Sequence, residues 1–449
     1  MRNSRKIMKF YLTLVIIIMF FGLVLQVNKT IFKADYYENN EKLYHLKTSS
    51  AIAFEWNQTW GGVDFDFGWG IALDSARNIY VTGTTMSYGA GAEDLFLVKF
   101  DSSGGYQWNR TWGEIDTDIG SEVAVDSLDN VYIVGSTENF GSGNFDIVLV
   151  KYDNLGVQQW NLTWGGTGFE TGRALMIDSL DNVYIVGDTD SFGAGEDDLV
   201  LIKFNSSGGY QWYRTWGGSD KEVGNEITMD SLGNIYVTGY NGSTGLIPSD
   251  MVLVKFDSFG IEQWNITRNE REHDVGNGVA VDSLDDVYVV GSMVNLVSSL
   301  DRDIFLVKYN SSGSLQWNQT WGGNDMDSGA EVVVDSLNNI YVVGDSFGAG
   351  LVDTVLIKYD ISGTQKWYKT WGEEWYDYAT GLTLDSSDSI YISGATDSFG
   401  PGHYDVFILK YSEQGETAIP GFDPLIVVGI ASMVIIINLP ILYWRKKRN

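Results

Sequence analysis

Acidic residues recur at a fixed place in this sequence, and their spacing resembles the first half of a calcium-binding loop. Seven acids stand two residues before a Gly, or before Ala379 in the last case: Asp66, Asp118, Glu170, Glu222, Asp274, Asp327 and Asp377. In five of these places a second acid lies two residues earlier: Asp64, Asp116, Asp220, Glu272 and Asp325. Calcium takes about six to eight oxygen ligands. The pairs Asp64/Asp66, Asp116/Asp118 and Asp325/Asp327 are therefore candidate calcium ligands.

A second interpretation of the same acids remains open. The loops lack a third acid at the next odd position, where Gly68 follows Asp66, for example. An isolated Asp in a turn commonly accepts hydrogen bonds from backbone N–H groups close to it in the chain. The carboxylates are then structural, and the protein has no cofactor.

Other residue types offer little material for catalysis. The chain has no Cys and three His, His45, His273 and His403, which fall in separate segments. This excludes thiolate chemistry and disfavours both a His-rich metal centre and a Ser-His-Asp triad. Paired carboxylates of the glycosidase kind stay open, because 59 acids always offer pairs. We predict no catalytic and no cofactor-binding residue.

Three further residue types recur with the acids and define a repeat of 50 to 53 residues. The tyrosines are Tyr80, Tyr132, Tyr184, Tyr236, Tyr288, Tyr341 and Tyr391. The lysines are Lys99, Lys151, Lys203, Lys255, Lys308, Lys358 and Lys410. The tryptophans are Trp56, Trp108, Trp160, Trp212, Trp264, Trp317 and Trp367. Seven copies at such a period indicate a repeat architecture.

Each copy predicts four short strands and no helix. In the first copy these are residues 70–74, 78–83, 94–101 and 106–112, which are rich in Val, Ile, Tyr, Phe and Trp and are bounded by Asp-Ser and Gly-containing turns. Four antiparallel strands per copy are typical of a propeller blade. The sequence thus predicts an all-β, seven-bladed β-propeller over residues 54–411.

The phase of the two ends predicts how the ring closes. Residues 54–60 match the fourth strand of a copy but precede the first strand of copy 1. The last copy ends after its third strand, at Tyr411. We expect residues 54–60 to supply the outer strand of the last blade.

The copies resemble a known repeat family. Units such as Asp126 to Gly135 and Asp146 to Trp164 are similar to the SBBP-type β-propeller repeats of bacterial and archaeal surface proteins. The resemblance implies a propeller exposed outside the cell. It brings no catalytic residues.

Apolar segments at both ends predict export and anchoring. Residues 1–27 place four basic residues before an apolar run, as in a signal peptide, and cleavage or retention as an anchor are both open. Residues 425–444 are long enough to span a bilayer, and the basic tail 445–449 follows. Residues 28–53 and 412–424 are linkers. We expect a protein of the cell membrane with its propeller on the extracellular side.

The charge balance restricts the partners. The formal net charge is −30, and residues 28–424 hold 21 basic against 59 acidic groups. Such a field repels phosphate backbones, so no nucleic-acid partner is expected. Cations or basic partners suit it better.

Glycosylation sequons fall on the predicted outer strands. Five of them have the Asn next to the recurring Trp: Asn57, Asn109, Asn161, Asn265 and Asn318. An exported protein can be modified there. Copying of the repeat would multiply the same Asn and Thr without modification, and both interpretations stay open.

The loops of copies 4 and 5 depart from the repeat and predict a docking surface. Copies 1, 2, 3, 6 and 7 share an aromatic-Gly-x-Gly loop that these two lack. The candidate binding residues are Leu246, Ile247, Val294, Leu296, Arg268 and Arg271. Apolar side chains rimmed by charge are typical of interaction surfaces, whereas loop drift is the alternative.

Two classes of function follow. The first is a membrane-anchored binding or scaffold module whose partner, a surface protein or a glycan, the sequence does not name. The alternative is an extracellular carbohydrate-active enzyme of propeller fold, which requires one place where a convergent polar set breaks the repeat.

Overall fold

The fold is described from a computed structural model of the chain. The described residues are 52–242, 250–268, 273–294, 302–323, 325–347 and 351–413. Within these ranges, no helix is long and apolar enough to cross a membrane. The predicted signal segment 1–27 and the predicted transmembrane segment 425–444 lie outside them.

In the described residues the chain forms 28 strands. The inner strands are β2 Asp66–Leu73, β6 Asp118–Val125, β10 Glu170–Ile177, β14 Lys221–Met229, β18 Asp274–Val281, β22 Asp327–Val334 and β26 Asp377–Leu384. The second strands are β3 Ile79–Thr85, β7 Val131–Thr137, β11 Val183–Thr189, β15 Ile235–Gly242, β19 Val287–Val294, β23 Ile340–Ser346 and β27 Ile390–Thr396. The third strands are β4 Asp94–Phe100, β8 Asp146–Tyr152, β12 Asp198–Phe204, β16 Asp250–Phe256, β20 Arg302–Tyr309, β24 Asp353–Tyr359 and β28 Asp405–Glu413. The outer strands are β5 Tyr106–Trp112, β9 Gln158–Trp164, β13 Tyr210–Trp216, β17 Glu262–Arg268, β21 Leu315–Trp321, β25 Gln365–Trp371 and β1 Ile52–Trp60.

These strands pair into seven four-stranded antiparallel sheets, which confirms the predicted seven-bladed propeller. Blades 1 to 6 each consist of four consecutive strands, starting with β2–β5. Blade 7 consists of β26, β27, β28 and β1. The pairing of β1 with β28 places Thr59 opposite Phe407, as predicted. Strand β1 begins at Ile52 and strand β28 ends at Glu413, each two residues beyond the predicted boundary of the propeller at 54 or 411.

The hydrophobic core is divided into seven layers, one between each pair of neighbouring blades. The layer between blades 1 and 2, for example, joins Leu95 and Leu97 to Val131 and Ile133. Because each blade is covered on both faces, its second and third strands are almost entirely buried. This is why apolar side chains occur on both faces of those strands instead of at alternate positions only.

The recurring Asp, Tyr and Lys hold the turns and join the blades. Asp74 directly follows the inner strand β2 and accepts hydrogen bonds from the N–H groups of Ala76 (3.0 Å) and Asn78 (2.8 Å), which stabilises the turn. The Lys99 ammonium lies 4.7 Å from the Tyr80 ring centroid and 3.5 Å from Asp74. It also donates to a backbone carbonyl of the next blade, at residue 154. Lys99 therefore has a structural role, in its own turn and in the contact with the next blade.

Candidate functional site

The structure separates the two acids of the first predicted calcium pair. Asp66 is fully buried, and its carboxylate accepts hydrogen bonds from the Gly62 N–H (2.7 Å) and the Thr85 hydroxyl. Asp64 is exposed, and its backbone N–H donates to the Ser87 hydroxyl. The Asp66 carboxylate thus makes the turn-stabilising hydrogen bonds of the second interpretation.

The other two pairs have the same arrangement. Asp118 is buried and accepts from the Glu114 N–H (3.0 Å), whereas Asp116 is exposed. Asp327 is buried and accepts from the Gly323 N–H (3.0 Å), whereas Asp325 is exposed. Among the described residues, no group of three or more His, Cys, Asp or Glu is placed to hold a metal ion. Calcium ligation and turn stabilisation therefore stay the two alternative interpretations of these acids, and metal removal distinguishes them.

All five sequon asparagines lie on outer strands. Four of them are exposed: Asn57, Asn161, Asn265 and Asn318. Asn109 is half-buried, and its side-chain oxygen accepts a hydrogen bond from the Tyr106 hydroxyl (3.2 Å). Glycosylation at all five sites stays a prediction.

The docking surface predicted on blades 4 and 5 is described only in part. Leu246, Ile247, Leu296 and Arg271 lie outside the described residues. Val294 is half-buried at the end of β19.

Arg268 from that predicted surface is buried, with 6% of its surface exposed. Its guanidinium lies 4.6 Å from the Phe305 ring centroid. In blade 7 the equivalent contact is made by Trp60, whose ring lies 4.6 Å from Phe96. Arg268 thus takes the place of a core tryptophan, and its guanidinium is not part of the exposed surface.

Each inner strand contains a β-bulge, and the residue at this bulge differs between the copies. In β14, β18 and β26 the bulged residues are polar and donate to backbone carbonyls of the next blade: Asn225 to Gly276 (2.9 Å), Asn277 to Gly329 (2.7 Å) and Thr380 to Gly68 (2.8 Å). In β2 the bulged residue is Trp69, which is 41% exposed. Bulges commonly re-aim a side chain at a functional site.

Trp69 is one end of a row of aromatic rings across blades 7 and 1. Successive centroids along Trp69, Phe67, Tyr404, Tyr378 and Tyr376 are 6.1, 4.9, 6.1 and 5.7 Å apart. Neighbouring ring planes are within 26° of parallel. We call these five residues the aromatic arc.

An apolar cavity of about 330 Å³ adjoins the arc on the side of blade 2. It is lined by Phe65, Phe67, Trp69, Thr84, Met86, Glu93 and Ile119. Phe65 and Met86 are 38% and 42% exposed, so the cavity opens to solvent. Its single charged side chain is that of Glu93. We call it the arc cavity.

The second break in the repeat lies in the central channel. At one position of the inner strands, blades 2, 4 and 6 carry Glu122, Glu226 and Glu331, whereas the other blades carry Gly or Ala. The three glutamates line a channel cavity of about 380 Å³ together with Val, Ile and Leu side chains. Each carboxyl accepts one hydrogen bond from the N–H of the following residue.

Burial inside the ring raises the pKa of all three carboxyl groups well above the ordinary value. The charge of Glu226 adds to this effect at Glu122, and the charge of Glu331 adds to it at Glu226. The carboxyls of Glu226 and Glu331 also hydrogen-bond to each other. The channel therefore favours protonated carboxyl groups, which can donate as well as accept.

Neither break was identified from the sequence, although signals for both are present there. Trp69 stands at a place where Asn225 and Asn277 stand in other copies. The channel glutamates become visible only when the same position is compared across all copies.

Comparison with known proteins supports the repeat assignment. The family model for the SBBP beta-propeller repeat matches residues 66–89, 113–140 and 211–245. Together with the seven four-stranded sheets, this defines the class as the β-propellers. Within that class the chain is a seven-bladed propeller that carries SBBP repeats.

Individual relatives are distant. A WD repeat-containing protein of Acanthamoeba polyphaga mimivirus is 22% identical over 46% of this chain, a match that spans 20% of that relative. An ulvan lyase of polysaccharide lyase family 25 superposes with a TM-score of 0.53 at 10% identity, over 78% of this chain and 95% of the lyase. The Pan2 WD40 domain of Neurospora crassa superposes with a TM-score of 0.52 at 11% identity, over 83% of this chain and 98% of that domain. At such identities the likeness shows the fold alone.

Proposed function

We propose that this chain is an extracellular, membrane-anchored β-propeller that binds a partner through the surface around the aromatic arc. The observation that carries the proposal is the restriction of the arc to blades 7 and 1. Trp69 is the one aromatic residue at this bulge, where the other copies carry Ser121, Arg173, Asn225, Asn277, Ala330 and Thr380. Exposed aromatic residues are also the type most enriched at binding surfaces.

Anchoring is supported by the sequence of the two ends. Basic residues precede the apolar run of segment 1–27, and segment 425–444 is followed by Arg445 to Arg448. Positive residues remain on the cytoplasmic side of such segments. The predicted location is tested by labelling intact cells with a membrane-impermeant reagent. The exposed lysines Lys366 and Lys369 should be modified, and modification only after lysis would contradict the location.

Binding is tested with full-length protein in detergent against arrays of surface proteins and glycans. The Phe67→Ala/Trp69→Ala variant should lose a partner that the unchanged protein retains. A matched control is Phe169→Ala, which removes a 49%-exposed aromatic from the equivalent edge of blade 3. A partner bound equally by all three proteins would place the binding surface elsewhere.

A second candidate function, that of a carbohydrate-active enzyme, is favoured by the channel glutamates. Adjacent carboxyls with raised pKa values are the groups from which glycosidases draw a general acid. The test is release of reducing ends or unsaturated products from a polysaccharide panel. Activity lost in Glu331→Gln and kept in Glu262→Gln, which alters an exposed outer-strand glutamate, would establish it. Absence of product from every polysaccharide would remove it.

A further inference from the structure

The arc cavity combines aromatic rings with one carboxylate. Phe65, Phe67 and Trp69 form one wall, and Glu93 is its single charged side chain. Aromatic faces attract cations, and an adjacent carboxylate adds a charged hydrogen-bond acceptor. The composition of the cavity therefore selects for an organic cation over an anion.

The equivalent position of another blade shows that an acid at the place of Glu93 can pair with a lysine. In blade 3 the residue equivalent to Glu93 is Asp197, which faces Lys221 of the next blade. The Lys221 ammonium lies 2.6 Å from the Asp197 carboxylate. In blade 1 the residue that faces Glu93 is Thr117. No ion pair involves Glu93 in the described part of the chain.

Two further observations restrict the charge and the size of the ligand. Residues 28–424 carry 59 acidic against 21 basic groups, so the field of the domain concentrates cations at its surface. A cavity of about 330 Å³ is near the lower limit of ligand sites. It accommodates one long side chain better than a chain of sugar rings.

We propose that the arc cavity binds a lysine or arginine side chain from a basic segment of a partner protein. The cationic head reaches the Glu93 carboxylate, and the alkyl stem packs on Trp69 and Met86. The inference rests on the proposed function, because it names the chemistry of the partner that the same surface binds.

The test measures binding of three peptides to full-length protein in detergent. The peptides are glycine-rich and differ at one central residue, which is lysine, arginine or norleucine. We expect the lysine and arginine peptides to bind at least about tenfold more tightly than the uncharged norleucine peptide. Binding of the lysine and arginine peptides should weaken as the salt concentration is raised.

Four variants locate the site. Glu93→Gln and Trp69→Ala should each weaken the lysine peptide by about tenfold. Glu196→Gln and Phe169→Ala remove an exposed glutamate and an exposed aromatic from blade 3 and should leave binding unchanged. Thermal melting of each variant verifies folding, and Glu93→Gln keeps the size of the side chain.

The outcomes separate this inference from the proposed function. Equal binding of the norleucine peptide, or an unaffected Glu93→Gln variant, would overturn the cation site. A neutral glycan that binds through Trp69, with no lysine peptide bound, would overturn the cation site but keep the proposed function. A partner insensitive to every change in the aromatic arc would overturn both.

Discussion

Gly70 lies directly against the carboxyl group of Glu122 on the neighbouring inner strand. A Cβ atom at residue 70 would be 2.3 Å from Oε1 of Glu122. Gly278 and Glu331 have the same relationship, at 2.8 Å. Glycine on one blade thus provides the space that a glutamate on the next blade occupies. Glu226 follows Ala174 instead, so a small residue, glycine or alanine, precedes each of the three channel glutamates. This alternation of small residues with glutamates allows three carboxyl groups to fit into the central channel.

The first prediction concerns this alternation. Gly70→Ala should destabilise the propeller by about 1–3 kcal/mol, as overpacking of a core does. The new Cβ would also lie 2.8 Å from the Cα of Glu122, so backbone as well as side chain must move. The measurement is urea denaturation.

Gly323→Ala is the matched control, because a Cβ there has nothing within 4 Å. Its stability should be unchanged or slightly raised, since alanine restricts the unfolded chain. Equal destabilisation of both variants would show that channel packing is not the cause.

The second prediction is a loss of stability as pH rises. Glu122, Glu226 and Glu331 have raised pKa values in the folded ring because burial disfavours their charged forms. The folded state therefore keeps protons that the unfolded state has released. Their contribution is most favourable below the ordinary pKa of 4.5 and is lost as pH rises through the raised folded values.

Denaturation across a pH series measures this effect. Glu331→Gln should reduce the slope of the unfolding free energy against pH. The reduction is at most that of one proton, about 1.4 kcal/mol per pH unit. Asp360→Asn is the control, because hydrogen bonds from Lys366 and Ser362 lower the pKa of that exposed-loop carboxyl to about 2. Its stabilisation is lost only as pH falls through that value. A Glu331→Gln variant with an unchanged slope would refute the explanation.

The fold was predictable because its determinants repeat. Tyr80 and Lys99 contact each other in the folded blade and recur with one period in the sequence. Closure was predictable because the strand at Phe54 has no partner of its own copy. Such periodic contacts are local to a blade, so their spacing alone indicates the strand pairing.

The site was harder to predict because its members are distant in sequence. Phe67 and Tyr404 are 4.9 Å apart only because the ring closes. Arg268 is buried although the sequence predicts it on a binding surface, because sequence does not distinguish an exposed arginine from one that replaces a buried tryptophan. The aromatic arc depends on closure, and the burial of Arg268 depends on packing between blades.

The third prediction concerns metal removal. The Asp66 and Asp118 carboxylates already accept N–H donors from the Gly62 and Glu114 backbones. In both residues the backbone donor satisfies the Oδ2 atom of the carboxylate without a cation. We therefore expect excess chelator to leave the thermal midpoint of the protein unchanged.

Added calcium at about 100 times a dissociation constant would stabilise a binding-competent native state by about 2.7 kcal/mol. A midpoint that falls with chelator and recovers with calcium, but not in Asp66→Asn, would establish a calcium site. It would also show that the hydrogen bonds of these loops are not the whole role of the acids.

The last prediction concerns the strand that closes the ring. Trp60 ends β1, is 9% exposed and packs against Phe96 of blade 1, with ring centroids 4.6 Å apart. Trp60→Ala should cost about 3–5 kcal/mol, because it opens a cavity between the first and last blades. Trp375→Ala should cost little, since that side chain is 53% exposed. Deletion of residues 52–60 should be more severe, because the edge of β28 then lacks its partner and promotes aggregation. Light scattering during refolding measures this, and a monodisperse deletion variant would show that β1 is not needed to close the ring.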